Sequence, residues 1–323
     1  MKSKYYKNKV AVITGGASGI GKAFAITLAK MGTNLVISDI NLERLEETKK
    51  EIEKFKVRVV TIVCDVTKQL AVKKLVKTAI EEMGKIHFIF SNAGIAIGGH
   101  FETLSNSQWK RIINVNIYGN INVVEGFIPK LLEQGFGHII VTGSIASNIG
   151  IGGLGPYNTT KFANAGFCES LFGEYHHRGI DVSLICPFPL QTNLIESAGI
   201  GIPSELLDGI DLQAMKIGIE EGKKYYWTQF TKKQSVLKGY AGGFTVERAV
   251  KRYLKKIRKK KLYIFERRYG RMLQFLKGFW PRAYKKFIGA MGKRHVELLN
   301  TTIKLSLEKA KSNNATNYIK NEK

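Results

Sequence analysis

Thr14-Gly15-Gly16-Ala17-Ser18-Gly19-Ile20-Gly21 lies between an apolar run, Val10-Ala11-Val12-Ile13, and a helix-like run from Lys22 to Met31. The order is strand, glycine turn, helix. The glycines permit a tight turn and let the backbone come close to a ligand. A helix N-terminus offers unpaired N–H groups and the positive end of a dipole. The stretch therefore predicts a pyrophosphate held at the start of a helix by Gly15, Ser18, Gly19, Ile20 and Gly21. Glycine patterns of this kind also arise by chance, so the residues that follow must supply the context.

Leu35-Val36-Ile37-Ser38-Asp39 reads as a second strand ending in an acid. Asp39 falls about twenty residues past the glycines, where a carboxylate hydrogen-bonds the ribose hydroxyls of an adenosine. It would repel a 2′-phosphate, and the glycine turn holds no Lys or Arg to offset it. NAD(H) is expected in preference to NADP(H). The plainer alternative is a strand-end acid that caps the next helix.

The chain has 323 residues, enough for one large α/β domain with additions. No run of about eighteen uncharged apolar residues occurs, so no spanning helix is expected. The start, Met1 to Lys9, is basic and lacks the apolar stretch of a signal peptide. Cys64, Cys168 and Cys186 show no metal-ligand spacing. They read as reduced thiols in a cytoplasmic protein, and no metal is expected. The net charge of +25 is unevenly spread: 26 of the 51 Lys and Arg, but only 5 of the 26 Asp and Glu, lie from Thr231 onward. That last part of the chain predicts an anionic partner.

Strand-like runs are Val10–Ile13, Leu35–Ser38, Val57–Cys64, Phe88–Ser91, His138–Thr142, Val182–Cys186 and Leu262–Phe265. Helical patterns alternate with them over Leu42–Phe55, Gln69–Met83, Ser107–Gln134, Asn158–Arg178 and Val246–Lys260. The strands are continuous and β-branched, as in a sheet covered on both faces. The expected fold is a Rossmann-like, doubly wound α/β domain with a parallel sheet of about seven strands. Ligands of such sheets bind beyond the carboxyl ends of the strands. Asp65 and Val66 end the third strand, and Asn92-Ala93-Gly94 ends the fourth. Asp65 is placed to hold an adenine amino group, and small Ala93 and Gly94 admit a flat ligand; turn formation is the alternative for each.

Ser144 follows the fifth strand, and Tyr157 and Lys161 come later at i and i+4 on one helical face. An ammonium beside a phenol favours the phenolate and makes it a usable acid or base. An isolated Tyr-x-x-x-Lys is otherwise an ordinary helix surface.

Over roughly residues 8 to 266 the sequence resembles the short-chain dehydrogenase/reductase family. Thr14-Gly15…Gly19-Ile20-Gly21, Asp65, Asn92-Ala93-Gly94, Asn116, Ser144, Tyr157-Asn158-Thr159-Thr160-Lys161 and Pro187…Thr192 appear in the family's order. The resemblance implies that Tyr157 exchanges a proton with the substrate oxygen while Ser144 positions that oxygen. It implies that Lys161 lowers the Tyr157 pKa and holds the nicotinamide ribose. Asn116 would support a water relay to Lys161, and Thr192 with the backbone near Leu190 would hold the carboxamide. Two departures stand out. Pro187-Phe188-Pro189 replaces the usual Pro-Gly, which puts the nicotinamide loop in question and offers Phe188 as a substrate-pocket wall. Ser91 replaces a frequent Asn.

A substrate lid is expected over about 193–243, with Ile195, Ile200, Ile202, Leu206, Leu207, Ile210, Met215, Ile217 and Ile219. These suit an apolar substrate or simply pack the lid itself. Residues 267–323 form a basic helical extension. Met272, Leu273, Leu276, Phe279, Trp280, Tyr284, Phe287, Ile288 and Met291 follow helical spacing, and Pro281 starts or kinks a helix. With the cluster Lys251 to Lys261, this reads either as a surface for anionic membrane at the inner face or as a helical pair packed on the core. Nucleic acid rests on charge alone and is not favoured. Asn300 to Lys323 is expected to be frayed. The expected activity interconverts a secondary alcohol and a ketone with NAD(H), on an apolar or lipid-like substrate, in a homo-oligomer. The alternatives are a small polar hydroxyketone or sugar, or an idle NAD-sensing protein.

Overall fold

The structure, a computed structural model, describes residues 4–190, 194, 199–202, 206, 210–234, 245–265 and 269–321. Strands β1 (Val10–Thr14), β2 (Asn34–Asp39), β3 (Val59–Val63) and β4 (Phe88–Ser91) precede a two-residue strand, β5 (Ile97–Gly98). Then come β6 (Gly137–Thr142), β7 (Ile180–Ile185), β8 (Gly199–Ile200) and β9 (Tyr263–Ile264). Seven of these form a parallel sheet in the order β3-β2-β1-β4-β6-β7-β9, while β5 and β8 pair with each other. The chain moves outward from β1 to β3, then returns to β4 beside β1. Crossovers thus diverge between β1 and β4, and a crevice opens at their carboxyl ends.

The period of two along each strand builds two cores. Val10, Val12, Val36, Ile89, Ile139 and Val141 face α3 (Gln69–Met83), α5 (Gly119–Gln134) and α6 (Gly155–Tyr175). Ala11, Ile13, Leu35, Ile37, Phe88, Phe90 and Ile140 face α1 (Gly19–Ala29), α2 (Leu42–Glu53) and α8 (Val246–Ile257). The expected doubly wound sheet is therefore present, with somewhat shorter third and seventh strands than the β-branched runs predict.

The helix expected over Ser107–Gln134 is divided. It begins as α4 (Asn106–Ile113), where the Ser105 hydroxyl accepts from the Gln108 N–H and the Gln108 side chain accepts from the Ser105 N–H. It then widens into a π-helical turn, Asn114–Tyr118, before continuing as α5. Asn116 sits in that turn and is fully buried. A local widening of this kind frequently marks a functional position.

The C-terminal region differs most from expectation. After α7 (Leu212–Gln234) and α8 come α9 (Tyr269–Phe279) and α10 (Pro281–Asn321). Pro281 starts α10, as its missing N–H favours. The fraying expected from Asn300 onward does not occur: α10 continues to Asn321, and Thr302, Ser306 and Ala310 are fully buried. Two features explain this. Thr302 Oγ1 donates to the Leu298 carbonyl and Ser306 Oγ to the Thr302 carbonyl, so a polar-looking segment buries no unpaired hydroxyl there. Gly218 and Gly222 of α7 also lack the side chains that would overlap Ser306, so the two helix backbones approach closely.

The basic cluster Lys251 to Lys261 is separate from the tail. α8 buries Ala249, Val250, Tyr253, Leu254 and Ile257 on one side of the sheet, whereas α9 inserts Leu273 into the core on the other. The two basic segments do not form the one amphipathic surface that their charge pattern predicts. Among the described residues, no helix is long and apolar enough to cross a membrane.

Candidate active site

The strand ends open into a cleft of 1140 Å³. Gly15, Ser18, Gly19 and Ile20 line it at one end. Gly15 has φ +63, and a Cβ there would lie 3.0 Å from the Ala93 Cα, so only glycine fits between β1 and β4. Gly21 does not line the cleft. A side chain on it would overlap the Gly15 carbonyl, so it lets α1 pack tightly under the turn. Ser18 precedes α1 without capping it through its side chain. The first N–H groups of α1 thus receive no side-chain cap from it, and Gly19 and Ile20 of that turn border the cleft. These residues fit a dinucleotide pyrophosphate.

Asp39 lines the same end, and its two oxygens accept from the Ala17 and Asn41 N–H groups at 3.2 and 3.1 Å. Those bonds hold the carboxylate at the lip. Asp65 accepts from both the N–H and the hydroxyl of Thr67, while Val66 packs against Gly119. Asp65, Val66, Ala93 and Gly94 all border the cleft. Arg44, Lys110 and Arg111 also line it, although no sequence motif marks them.

Asn92 is a tie between strand ends as well as a wall. Its amide donates to the Thr14 carbonyl at 3.0 Å and accepts from Thr142 Oγ1 at 3.0 Å, which joins β1, β4 and β6. Ser91, the departure from the family pattern, donates to Asn120 Oδ1 at 2.6 Å, so its hydroxyl has a buried partner.

Ser144, Tyr157 and Lys161 meet on the wall beyond β6. Ser144 Oγ accepts from the Ala146 N–H at 3.1 Å, which orients the hydroxyl in the turn after β6. Burial pushes the Tyr157 phenol above its ordinary pKa, and a hydrogen bond with Ser144 opposes that rise. Burial lowers the Lys161 ammonium to about 8. Lys161 Nζ donates to the Thr142 carbonyl at 2.8 Å and lies 5.6 Å from the Tyr157 ring centre. The lowered Tyr157 pKa expected from the Lys161 spacing is not seen: burial raises it, and the opposing cause is Ser144.

Asn116 is buried behind the wall and does not line the cleft. Its amide accepts from the Ile95 N–H and donates to the Ile95 carbonyl, each at 2.9 Å. It donates further to Thr160 Oγ1, one residue before Lys161. Pro187, Phe188 and Leu190 line the cleft after β7. Phe188 also packs beside the core. Thr192 lies outside the described residues, as do Ile195 and Leu207.

Residues 9–200 match the family model described as short chain dehydrogenase. The chain belongs to the short-chain dehydrogenase family. It is an oxidoreductase of CH–OH groups that uses a nicotinamide dinucleotide. An uncharacterised oxidoreductase of Listeria monocytogenes is 37% identical over 193 residues, covering 59% of this chain and 78% of that protein. Human epidermal retinol dehydrogenase 2 is 32% identical, with coverages of 63% and 67%. Cyclohexanol dehydrogenase of an Acinetobacter species is 35% identical, with coverages of 60% and 77%. Among solved structures, a short-chain dehydrogenase/reductase from Burkholderia phymatum in complex with NAD superposes with a TM-score of 0.66 at 26% identity. It covers 81% of this chain and 89% of its own.

In this short-chain dehydrogenase the family match ends at residue 200, yet the cleft does not. Lys223 and Tyr226 of α7 and His295, Leu299 and Thr302 of α10 line it as well. Lys223 and Tyr226 fall within the lid span expected over about 193–243, whereas sequence reasoning placed none of the α10 residues there. Of the expected lid residues, Ile200 lines the cleft, whereas Leu206 and Ile217 are exposed and Met215 is buried elsewhere. Helical spacing revealed which residues share a face, but not which partner that face meets.

Proposed function

We propose that this enzyme is NAD(H)-dependent and interconverts a secondary alcohol and a ketone on an apolar substrate, with Tyr157 as acid and base. The observation that carries this reading is the convergence of Ser144, Tyr157 and Lys161 at one end of a cleft whose other end holds Asp39. Gly15, Ser18, Gly19, Ile20, Asp39, Asp65 and Asn92 to Gly94 would hold the dinucleotide, with Pro187, Leu190 and Thr192 at its nicotinamide end. When bound, the nicotinamide supplies or accepts the hydride. In the oxidative direction Tyr157 Oη takes the alcohol proton, and in the reductive direction it returns one. Ser144 hydrogen-bonds the substrate oxygen and favours the ionised phenol. Lys161 holds a positive charge near that phenol. Asn116 fixes the Ile95 backbone, and Asn116 Oδ1 and Lys161 Nζ both border Gly94, which has no side chain to part them. That arrangement supports a water relay between them. A small polar hydroxyketone is the weaker reading, because Ile151, Leu154, Phe188, Ile200 and Leu299 all line the chamber.

The test is a screen of secondary alcohols and ketones of graded length with NAD and NADP, read by NADH absorbance. Turnover of apolar alcohols with NAD is expected; activity confined to sugars or small polar hydroxyketones would overturn the substrate class.

We also infer contact with an anionic membrane surface. Met272, Phe275 and Phe279 are exposed at i, i+3 and i+7 of α9, and Trp280 follows at 66% exposure. Between Arg271 and Val296 the sequence carries seven Lys and Arg and no acid. Exposed aromatics flanked by unopposed cations fit an interfacial helix on anionic lipid. Sedimentation with phosphatidylglycerol and phosphatidylcholine vesicles tests this. The protein should favour the anionic vesicles, and replacing Phe275, Phe279 and Trp280 with Ser should release it. Equal binding to both lipids, or no effect of the substitutions, would overturn the contact.

A further inference from the structure

We propose that α10 is the substrate-selecting wall of this dehydrogenase, with Leu299 setting the length of apolar chain that the chamber accepts. The inference rests on the reading of Tyr157 as the reacting end of the same cleft.

Four observations carry it. First, His295, Leu299 and Thr302, on successive turns of α10, border the cleft that Tyr157 and Ser144 also line. Second, α10 is fastened across the chamber at two places. His100 Nε2 bonds Asn300 Oδ1 at 2.5 Å on the β5 side. His295 Nδ1 bonds the Gly152 carbonyl at 2.5 Å in the loop that joins Ser144 to the helix of Tyr157. Third, the His295 ring is itself held in place. Because Nδ1 faces a carbonyl it carries the proton, so Nε2 of the neutral ring accepts from the Tyr226 hydroxyl at 2.5 Å. Burial favours that neutral form. Fourth, the loop is shaped for close contact. A Cβ on Gly153 would lie 3.1 Å from Leu299 Cδ2 and 3.2 Å from His295 Nδ1, and one on Gly152 would lie 3.2 Å from the Gly292 Cα.

Leu299 is thus held against the Gly152–Gly153 loop by a helix that cannot slide without breaking the polar bonds that flank it at His295 and Asn300. Ile151, Leu154, Phe188 and Ile200 complete an apolar lining around it. An apolar substituent entering from the Tyr157 end would meet Leu299 as a rigid stop. Hydrophobic pockets discriminate by roughly 10–200-fold per methylene. The ligand class is a secondary alcohol or ketone with an apolar chain, read by length.

The experiment uses the full chain and straight-chain secondary alcohols of increasing length. Their binding to the enzyme–NADH complex is followed by NADH fluorescence, and kcat/KM is measured with NAD. Leu299→Phe should weaken the longest accepted alcohol about tenfold or more relative to the shortest. Leu299→Ala should move the limit toward longer chains. NADH affinity should stay at the wild-type value in both. An identical length profile in all three proteins overturns the proposal. If either variant no longer binds NADH, Tyr226→Phe and His295→Gln are measured in the same way; a length limit that sharpens or shifts supports the wall, and an unchanged one overturns it. A wild-type protein that binds alcohols with the expected length dependence but never oxidises them would sink the catalytic reading and leave the wall standing.

Discussion

The two ends of the cleft are built by opposite means. At the dinucleotide end, glycines hold backbone against backbone: Gly15 against Ala93, and Gly21 against Gly15. The residues concerned lie in short, local strand-turn-helix units. At the substrate end, the wall comes from α10, more than one hundred residues from the turn that carries Ser144, brought in by His295 on Gly152 and Asn300 on His100. The comparison teaches that the glycine-turn end is assembled from short units that are each legible by themselves, whereas the far wall rests on the long-range packing of α10. One end can stay constant while the other is replaced.

Each end can be perturbed by itself. The largest effect is expected at their junction. Tyr157→Phe should lower turnover by about 10²–10⁴-fold, the range for a positioned acid or base, while NADH still binds with near wild-type affinity by fluorescence titration. Persistent turnover would remove Tyr157 from the chemistry. At the dinucleotide end, Asp39→Asn should shift the NAD-to-NADP ratio of kcat/KM toward NADP by about tenfold or more, since one repulsive charge is lost. An unmoved ratio would assign the choice to Arg44 or another neighbour.

At the substrate end, Gly222→Val should destabilise the chain by about 1–3 kcal/mol through overpacking against α10. Thermal melting should show the loss. Apolar alcohol binding should suffer before NADH binding does. Equal loss of both would mean that the two ends are not separable. The smallest effect concerns Lys161, whose pKa is lowered to about 8 by burial. Below that pH both the folded and the unfolded chain hold the proton, and the fold bears the full cost of a buried charge. Above it only the unfolded chain binds the proton up to the ordinary lysine range, so the contribution to stability rises with pH. Lys161→Met should therefore melt higher than wild type near about pH 7, and the gap should narrow near about pH 9.5. A gap independent of pH would mean that Lys161 is not a charge cost to the fold.

The same contrast explains what the sequence discloses. The strand-turn-helix units around Gly15, Asp39 and Asn92 depend on spacing and residue type, which a sequence displays directly. Ser144, Tyr157 and Lys161 are legible because an ordered series of motifs surrounds them. The π turn at Asn116 was not legible, because a single widened turn is too short to show a period of its own. The order of α10 was hidden as well: Thr302 and Ser306 look like solvent-facing residues until their hydroxyls are seen bonded to their own helix. Lys251 to Lys261 and the cations of α9 look like one patch in a linear chain, and only the sheet between their cores separates them.

The two fastenings of α10 bear on how the enzyme comes into being. Every strand of the parallel sheet precedes α10 in the chain, and chains emerge N-terminus first. A growing polypeptide can therefore assemble the sheet and its glycine turns while the chamber beside Tyr157 still lacks its far wall. Selectivity for the alcohol would be acquired last, when His295 and Asn300 reach Gly152 and His100.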